Sequence, residues 1–444
     1  MSRILPMTPW SFVVAAALAV GATCASAATA PTLDLERALA EVAAQDPLLQ
    51  AQRHEVTAAR ARAVRAGAGE APMLEFMLEN VPVGGGFDMD EMTMRTVGVQ
   101  QRLGVNGARG YARRAAQHEA RAREARVDDT RWQRLAAAWE AYADAYHSAE
   151  RAAAAREHRA IMQRMAGAAR ARYESGRGRF EDLLRVEAER ARIEADAVTF
   201  ESEELAARAR LAQLRGLGGD GASEVLAAPN GALAPDSAAG WAGAVAGHPR
   251  VAMAGHLERS RRDAASSMRR MAWPDLTLRA SYGYRGTLHE GLHDLDDMWS
   301  AGVAVMLPVG FGSREGAEAR EMDAMADAAL AERRAEALAL EREMRALRLE
   351  ARAAARTATL LADTVAVADR KALAAAWSAY ETGATDLAGV FEAAHALYTE
   401  EIDVTRARQA HARALARLLA ITADGSLVGV RVPVADAPSG RDAR

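Results

Sequence analysis

The chain has 444 residues, half of them hydrophobic but only 5% aromatic, with 26% charged and a formal net charge of −4. So even a balance excludes the strongly basic surface of a nucleic-acid binder. The single cysteine, Cys24, excludes a disulfide-stapled fold. Past residue 27 no apolar run approaches the ~20 residues a transmembrane helix needs, so any membrane crossing must use strands.

Residues 1–27 read as an export signal. Arg3 supplies the positive end, Trp10 to Val20 is an apolar run too short to span a bilayer, and Ala25-Ser26-Ala27 is a small-x-small cleavage site. The mature chain is expected to begin at Ala28, and Cys24 is then lost. A lipid-anchored Cys24 is the alternative, for which Gly21-Ala22-Thr23 is a poor lead-in.

Leu33 to about Ala66 is helical in two pieces broken at Asp46-Pro47. A strand hairpin follows at about 72–103. Leu74, Phe76 and Leu78 alternate with Glu75, Met77 and Glu79, and Val97, Val99 and Leu103 with Thr96, Gly98 and Arg102. Gly110 to Glu174 has no proline and almost no glycine, which predicts a helix roughly 95 Å long that needs partners along its whole length. Its larger apolar residues are Trp132, Leu135, Trp139, Tyr142 and Tyr146, set among alanines with Arg and Glu on the other faces. Gly176 and Gly178 turn the chain, and Phe180 to Leu217 returns antiparallel.

Residues 218–240 are a Gly/Ala/Pro/Ser linker, after which the pattern recurs. Trp241 to Met271 repeats the short helices, and 274–308 repeats the hairpin. Leu276, Leu278, Ala280, Tyr282 and Tyr284 alternate with Thr277, Arg279 and Ser281; Trp299, Ala301, Val303, Val305 and Leu307 alternate with Ser300, Gly302 and Ala304. Glu315 to Tyr380 is a second long helix, Gly383 a second tip and Asp386 to Ile421 the return. From Ala423 to 444 the tail is aperiodic and expected to be poorly ordered. Asp46-Pro47 matches His248-Pro249, Pro72 matches Pro274, Gly98 matches Gly302, Gly107 matches Gly312, and Tyr173/Gly176 match Tyr380/Gly383. The offset creeps from 202 to 207, as small loop insertions produce, which predicts two tandem structural repeats, 28–217 and 241–422.

A hairpin between long helices cannot bury its apolar face on such a chain, so lipid or another copy must cover it. Small closed membrane barrels begin at about eight strands, and one chain offers four. The chain must therefore pool strands. Two copies give a barrel filled by its own side chains, and three give twelve strands and room for a lumen.

Repeated short helices, strand hairpin, long helix, Tyr-x-x-Gly tip and return helix resemble the TolC-type outer-membrane efflux factors over roughly Leu33 to Ile421. The carriers are W-P-D-L-T-L-R-A-S-Y-G-Y from Trp273, D-M-W-S-A-G-V-A-V-M-L-P-V from Asp297 and A-Y-E-T-G-A-T-D-L from Ala379. M-L-E-N-V-P-V-G-G-G with V-Q-Q-R-L-G-V-N-G-A-R is similar to the heavy-metal (cation) efflux branch. The resemblance implies a mainly α chain whose long helical hairpins build a periplasmic tunnel, with four strands per chain in a trimeric twelve-stranded barrel. It implies a Gram-negative outer-membrane location and a homotrimer. Its partners are a periplasmic adaptor (membrane fusion protein), an inner-membrane pump of the resistance-nodulation-division type and outer-membrane lipid. No enzyme activity or cofactor is implied.

By the same resemblance, Tyr173, Gly176, Tyr380 and Gly383 are expected to contact the adaptor, although any helical hairpin also needs a glycine to turn. Asp182, expected with Glu392 at the pore mouth or gate, lies six residues past the first tip glycine, where the family carries an acid; the second copy has Gly389 there, breaking the pattern. Glu392 matches a second acidic position at the periplasmic mouth, where three copies would form a cation-attracting ring. The competing reading is an acid near a helix N-terminus.

His289-Glu290-Gly291-Leu292-His293 fits the zinc-protease pattern H-E-x-x-H. That chemistry needs a helix carrying both imidazoles on one face, whereas this stretch sits between strands with Gly291 inside it. His289 and His293 are at most loose metal contacts in an acidic external loop. Seventeen methionines make a thioether path for soft Cu(I) or Ag(I) conceivable, though most are ordinary packing residues. Three readings follow: an exit duct for heavy-metal cations, the same duct for drugs or secreted peptides, and a periplasmic coiled-coil scaffold without a pore. A scaffold has no use for two hairpins with apolar outer faces.

Overall fold

The computed structural model describes residues 32–84, 92–218, 224–235, 240–285, 296–306 and 314–432; the expected export signal, Cys24, His289 and His293 lie outside them. A short strand, β1 (Thr32–Leu33), leads into α1 (Leu35–Gln45) and α2 (Pro47–Gly67). Asp46 separates the two helices because its buried carboxylate caps α2, accepting from the Leu48 amide at 2.8 Å, while Pro47 occupies the first helical position, where no amide is needed. The strands β2 (Met73–Glu79) and β3 (Met94–Arg102) precede α3 (Ala108–Glu174). With 67 residues, α3 is roughly 100 Å long. The first half of the chain closes with α4 (Phe180–Leu214) and β4 (Val225–Leu226), which pairs parallel to β1.

The same order recurs with α5 (Gly240–Ala246), α6 (Pro249–Met271), β5 (Asp275–Tyr284), β6 (Met298–Met306), α7 (Arg314–Leu360), α8 (Ala366–Glu381) and α9 (Leu387–Thr422). At the head of α6, buried His248 does what Asp46 does for α2: its ring nitrogen accepts from the Arg250 amide at 3.2 Å, ahead of Pro249.

Two buried clusters hold the helices together. One is a belt at mid-length, where α1, α3, α7 and α9 close on Trp139, Tyr142, Leu415 and Leu418. The Tyr142 hydroxyl lies 2.7 Å from both the Leu33 and Ala227 carbonyls, tying the β1/β4 pair to α3, and burial pushes its pKa up. The other runs toward the hairpin tips through Met162, Met165, Val186, Ile193, Leu387 and Val390.

Three features depart from the sequence reading. The second long helix is not continuous: Leu361–Val365 forms a π-helical turn between α7 and α8. No proline or glycine marks that turn, so nothing local announced it. The linker is built into the molecule, since β4 pairs with β1 and the Ala232 and Ala234 amides bond the Val428 and Leu427 carbonyls. The tail expected to be poorly ordered from Ala423 instead forms a 3-10 turn at Gly425–Val428, and Leu427, Val428 and Val430 are buried in the belt through residue 432.

Candidate channel sheet and helical tips

The two hairpins join edge to edge through β3 and β5, giving one antiparallel sheet of order β2-β3-β5-β6. The register sorts the side chains as the alternation predicts. Leu74 faces Val99, Val99 faces Ala280, and Ala280 faces Ala301; in the next row Phe76 faces Val97, Val97 faces Tyr282, and Tyr282 faces Trp299. These rows make one apolar face, and it is open: Phe76 is 75% and Trp299 79% exposed. Strands of 7 to 10 residues rise roughly 24–34 Å along their length, comparable with the ~25 Å apolar band of an outer-membrane barrel.

The opposite face carries Glu75, Glu79, Thr96, Gln100, Arg279, Ser281 and Ser300. Arg279 donates to Gln100 Oε1 at 2.9 Å and lies 3.7 Å from Glu75. Met73, Met77, Met94, Met298 and Met306 fall on this same polar face by register. At the foot of the sheet, buried Asp275 accepts from Arg102 Nε at 2.6 Å and the Val105 amide at 3.0 Å, and Glu70 bridges Arg102 and Arg109 at 3.4 and 3.2 Å. This knot fixes the sheet to the start of α3.

Both tips end in the same backbone motif. Gly176 and Gly383 have φ of 72° and 76°, and the amide after each reaches back five residues, Arg177 to Arg172 O and Ala384 to Ala379 O. The tyrosines differ. Tyr173 is 46% exposed and stands beside Phe180, whereas Tyr380 is 6% exposed, lies under the Arg172 guanidinium at 4.0 Å, and packs beside Trp377. Arg172 thus links the two tips of one chain.

The break in the acidic pattern has a local cause. Asp386 caps α9 through the Gly389 amide at 3.2 Å, and a Cβ on Gly389 would stand 3.0 Å from Thr385 Oγ1. The first tip has Arg179 at the cap, with no side-chain bond, and places Glu181 and half-buried Asp182 in the first turn. Glu392 is exposed on α9. Above it, Glu401 accepts from His158 Nε2 at 3.0 Å and Arg370 at 2.8 Å, contacts that hold its carboxyl below the usual range against the opposing effect of burial.

Among the described residues no helix is long and apolar enough to cross a membrane. The outer membrane efflux protein family matches residues 38–217 and 243–424, and the chain belongs to that family. A mainly helical protein with a four-stranded antiparallel sheet and a short β1/β4 pair, it is an outer-membrane efflux channel whose helices lie on the periplasmic side. Among solved structures, a membrane protein from Pseudomonas aeruginosa is 20% identical, with 87% of this chain and 93% of that chain covered and a TM-score of 0.74. The outer membrane protein VceC of Vibrio cholerae is 18% identical, with 87% and 96% covered and a TM-score of 0.72. CusC, described as forming a transmembrane channel, is 14% identical, with 87% and 91% covered and a TM-score of 0.71. At these identities the likeness is one of fold. No curated protein matches the chain.

Proposed function

We propose that the chain is the exit duct of a tripartite efflux system, working as a homotrimer that passively conducts heavy-metal cations from an inner-membrane pump and periplasmic adaptor to the exterior. The observation that carries the duct is the four-stranded sheet with one open apolar face and one polar face. Three such sheets joined β6 to β2 give twelve strands, with lipid on the apolar side and water within. Below the membrane, α4 exposes Leu184, Val198 and Leu205, while α7 exposes Leu338, Leu349 and Leu360, one every three turns. Two different stripes on opposite flanks suit a heterologous contact that closes around a threefold axis.

The metal reading rests on the polar face, whose carboxylates Glu75 and Glu79 alternate with Met73 and Met77, a mixture suited to soft cations. Glu392 supplies a ring of three acids at the periplasmic mouth. Asp182, in the first turn of α4, joins Glu392 in the role of pore mouth and gate, and Tyr173, Gly176, Tyr380 and Gly383 take the adaptor.

Growth of a deletion strain on graded Cu, Ag, Zn, Co and Cd salts, beside dyes and antibiotics, tests this reading. Selective metal sensitivity with retained metal is expected, and Glu392→Ala should complement only partly. Sensitivity to organic compounds alone sinks the metal reading and leaves the duct.

A further inference from the structure

The seam between α3 and α6, just below the sheet, carries more positive charge than its own acid neutralises. Arg114 and Arg121 stand on α3, Arg259 and Arg270 on α6, and all four are exposed. Asp263 is already engaged by Arg114 Nε at 3.4 Å, and among the described residues Arg121, Arg259 and Arg270 make no ion pair. Two imidazoles sense the surplus. His118 and His256 meet across the seam with ring centroids 5.8 Å apart. Burial first, then Arg121 for His118 and Arg259 for His256, lowers both pKa values, and Asp263 offsets only part of this at His118. At its upper end the seam turns aromatic. The Arg114 guanidinium lies 4.1 Å from the Tyr111 ring centre, and that of Arg270 lies 6.0 Å from the same ring and 5.5 Å from the ring of Trp273, which is 61% exposed.

Level and side both place this upper end at a membrane surface. Tyr111 and Arg114 lie about 5 and 9 Å below the first residue of α3, and α-helical side chains lean toward the N-terminus, here the end at the sheet. Arg270 is the penultimate residue of α6, and Trp273 stands in the link to β5. The polar layer of a bilayer is roughly 5–7 Å deep on each side of its core, within reach of these side chains. On α3, the Glu70 knot holds Arg109 with Arg102, on the polar side of the sheet's foot. Tyr111 and Arg114 stand about 160° and 140° round the helix from Arg109, which carries them to the side of the apolar face.

We propose that Arg114 and Arg270, seated on Tyr111 and Trp273, form a docking site for the phosphate of an anionic glycerophospholipid in the periplasmic leaflet of the outer membrane. Guanidinium N–H groups pair with phosphate oxygens in a fixed fork, and stacking on a ring orients that fork without neutralising it. Tyrosine and tryptophan suit the headgroup level, where one edge is apolar and the other wet. Arg121 and Arg259 lie about 10 Å further down, near one Debye length, and extend the positive field. A choline headgroup brings its own cation into that field and gains less. Docking rests on the channel's place in the outer membrane and not on its cargo, so a conducting duct without bound lipid, or lipid bound to a duct that exports no metal, separates the two proposals.

The full-length protein in a nonionic detergent is titrated with dioleoyl phosphatidylglycerol or dioleoyl phosphatidylcholine, and bound lipid is counted per chain by native mass spectrometry. Phosphatidylglycerol should bind at least tenfold more tightly. Arg114→Gln and Arg270→Gln should each weaken it about fivefold, with the lysine variants weakened less, while Arg177→Gln at the helical tip changes nothing. Neither glutamine variant should alter phosphatidylcholine binding. Equal affinity for the two lipids, or phosphatidylglycerol binding untouched by both glutamine variants, would overturn the proposal. Displacement of the lipid by millimolar inorganic phosphate would also overturn it, since the seam would then be a site for a free anion. Should a variant not fold, the unaltered protein decides: its affinity for phosphatidylglycerol should fall steeply with added salt, and an affinity indifferent to salt would contradict docking through arginine.

Discussion

The two halves of the chain repeat one order of elements and differ in how they are finished. In the first, α3 runs 67 residues without interruption and carries Trp139 and Tyr142, both fully buried in the belt. In the second, a π-helical turn divides α7 from α8, and the belt receives the slimmer Leu340, Met344 and Leu347. The first tip leaves its tyrosine open and its helix start without a side-chain cap; the second buries Tyr380 under Arg172 and caps α9 with Asp386. One half is built as a spine and the other is fitted to it. Identical topology therefore does not mean equal tolerance to change.

Substitutions can break or sharpen that contrast. Trp139→Ala should cost about 3–5 kcal/mol in chemical denaturation of the solubilised protein, and Leu340→Ala toward the lower end of about 2–5, since less volume is removed. At the tips, Tyr380→Ala should cost about 3 kcal/mol and Tyr173→Ala less than about 0.5, with Tyr380→Phe near neutral because the lost hydroxyl is buried without a partner. Under the adaptor proposal the ranking reverses in a pull-down, with exposed Tyr173 mattering more.

Acid should loosen the hairpins through Glu401. Its folded pKa lies below its unfolded value, so its contribution is present above about pH 4.5 and fades as pH falls through the lowered value. The melting-temperature gap between the unaltered chain and Glu401→Gln should therefore close as the pH falls below about 4.5; a gap independent of pH would assign the effect to packing. Smallest is the cap contrast: Asp386→Ala should cost about 1 kcal/mol and Arg179→Ala close to nothing.

Much of this was legible in the residues. Period-two alternation placed Leu74, Val99, Ala280 and Ala301 on one face, and the observed register puts those four side by side. Asp46-Pro47 and His248-Pro249 announced two helix starts, and Gly176 and Gly383 two left-handed turns. What escaped has no local signature. A π-helical turn needs one extra residue and no special residue type. Leu427 and Val428 are buried because the linker around Ala232 and Ala234 bonds their carbonyls and the belt closes over them, not because their own sequence is periodic. Arg172 over Tyr380, and His118 beside His256, join residues more than a hundred positions apart and exist only once the helices are packed. The tip asymmetry was hidden for the same reason, since Tyr173 and Tyr380 sit in near-identical words.

The most direct test of the duct is reconstitution of the purified chain into planar bilayers, with its mass in detergent measured alongside. A trimer giving steady, cation-selective conductance, reduced in selectivity by Glu392→Ala, is the predicted result. A monomer or dimer that stays soluble without detergent and leaves the bilayer silent would contradict the account and return the long helices to the role of a scaffold.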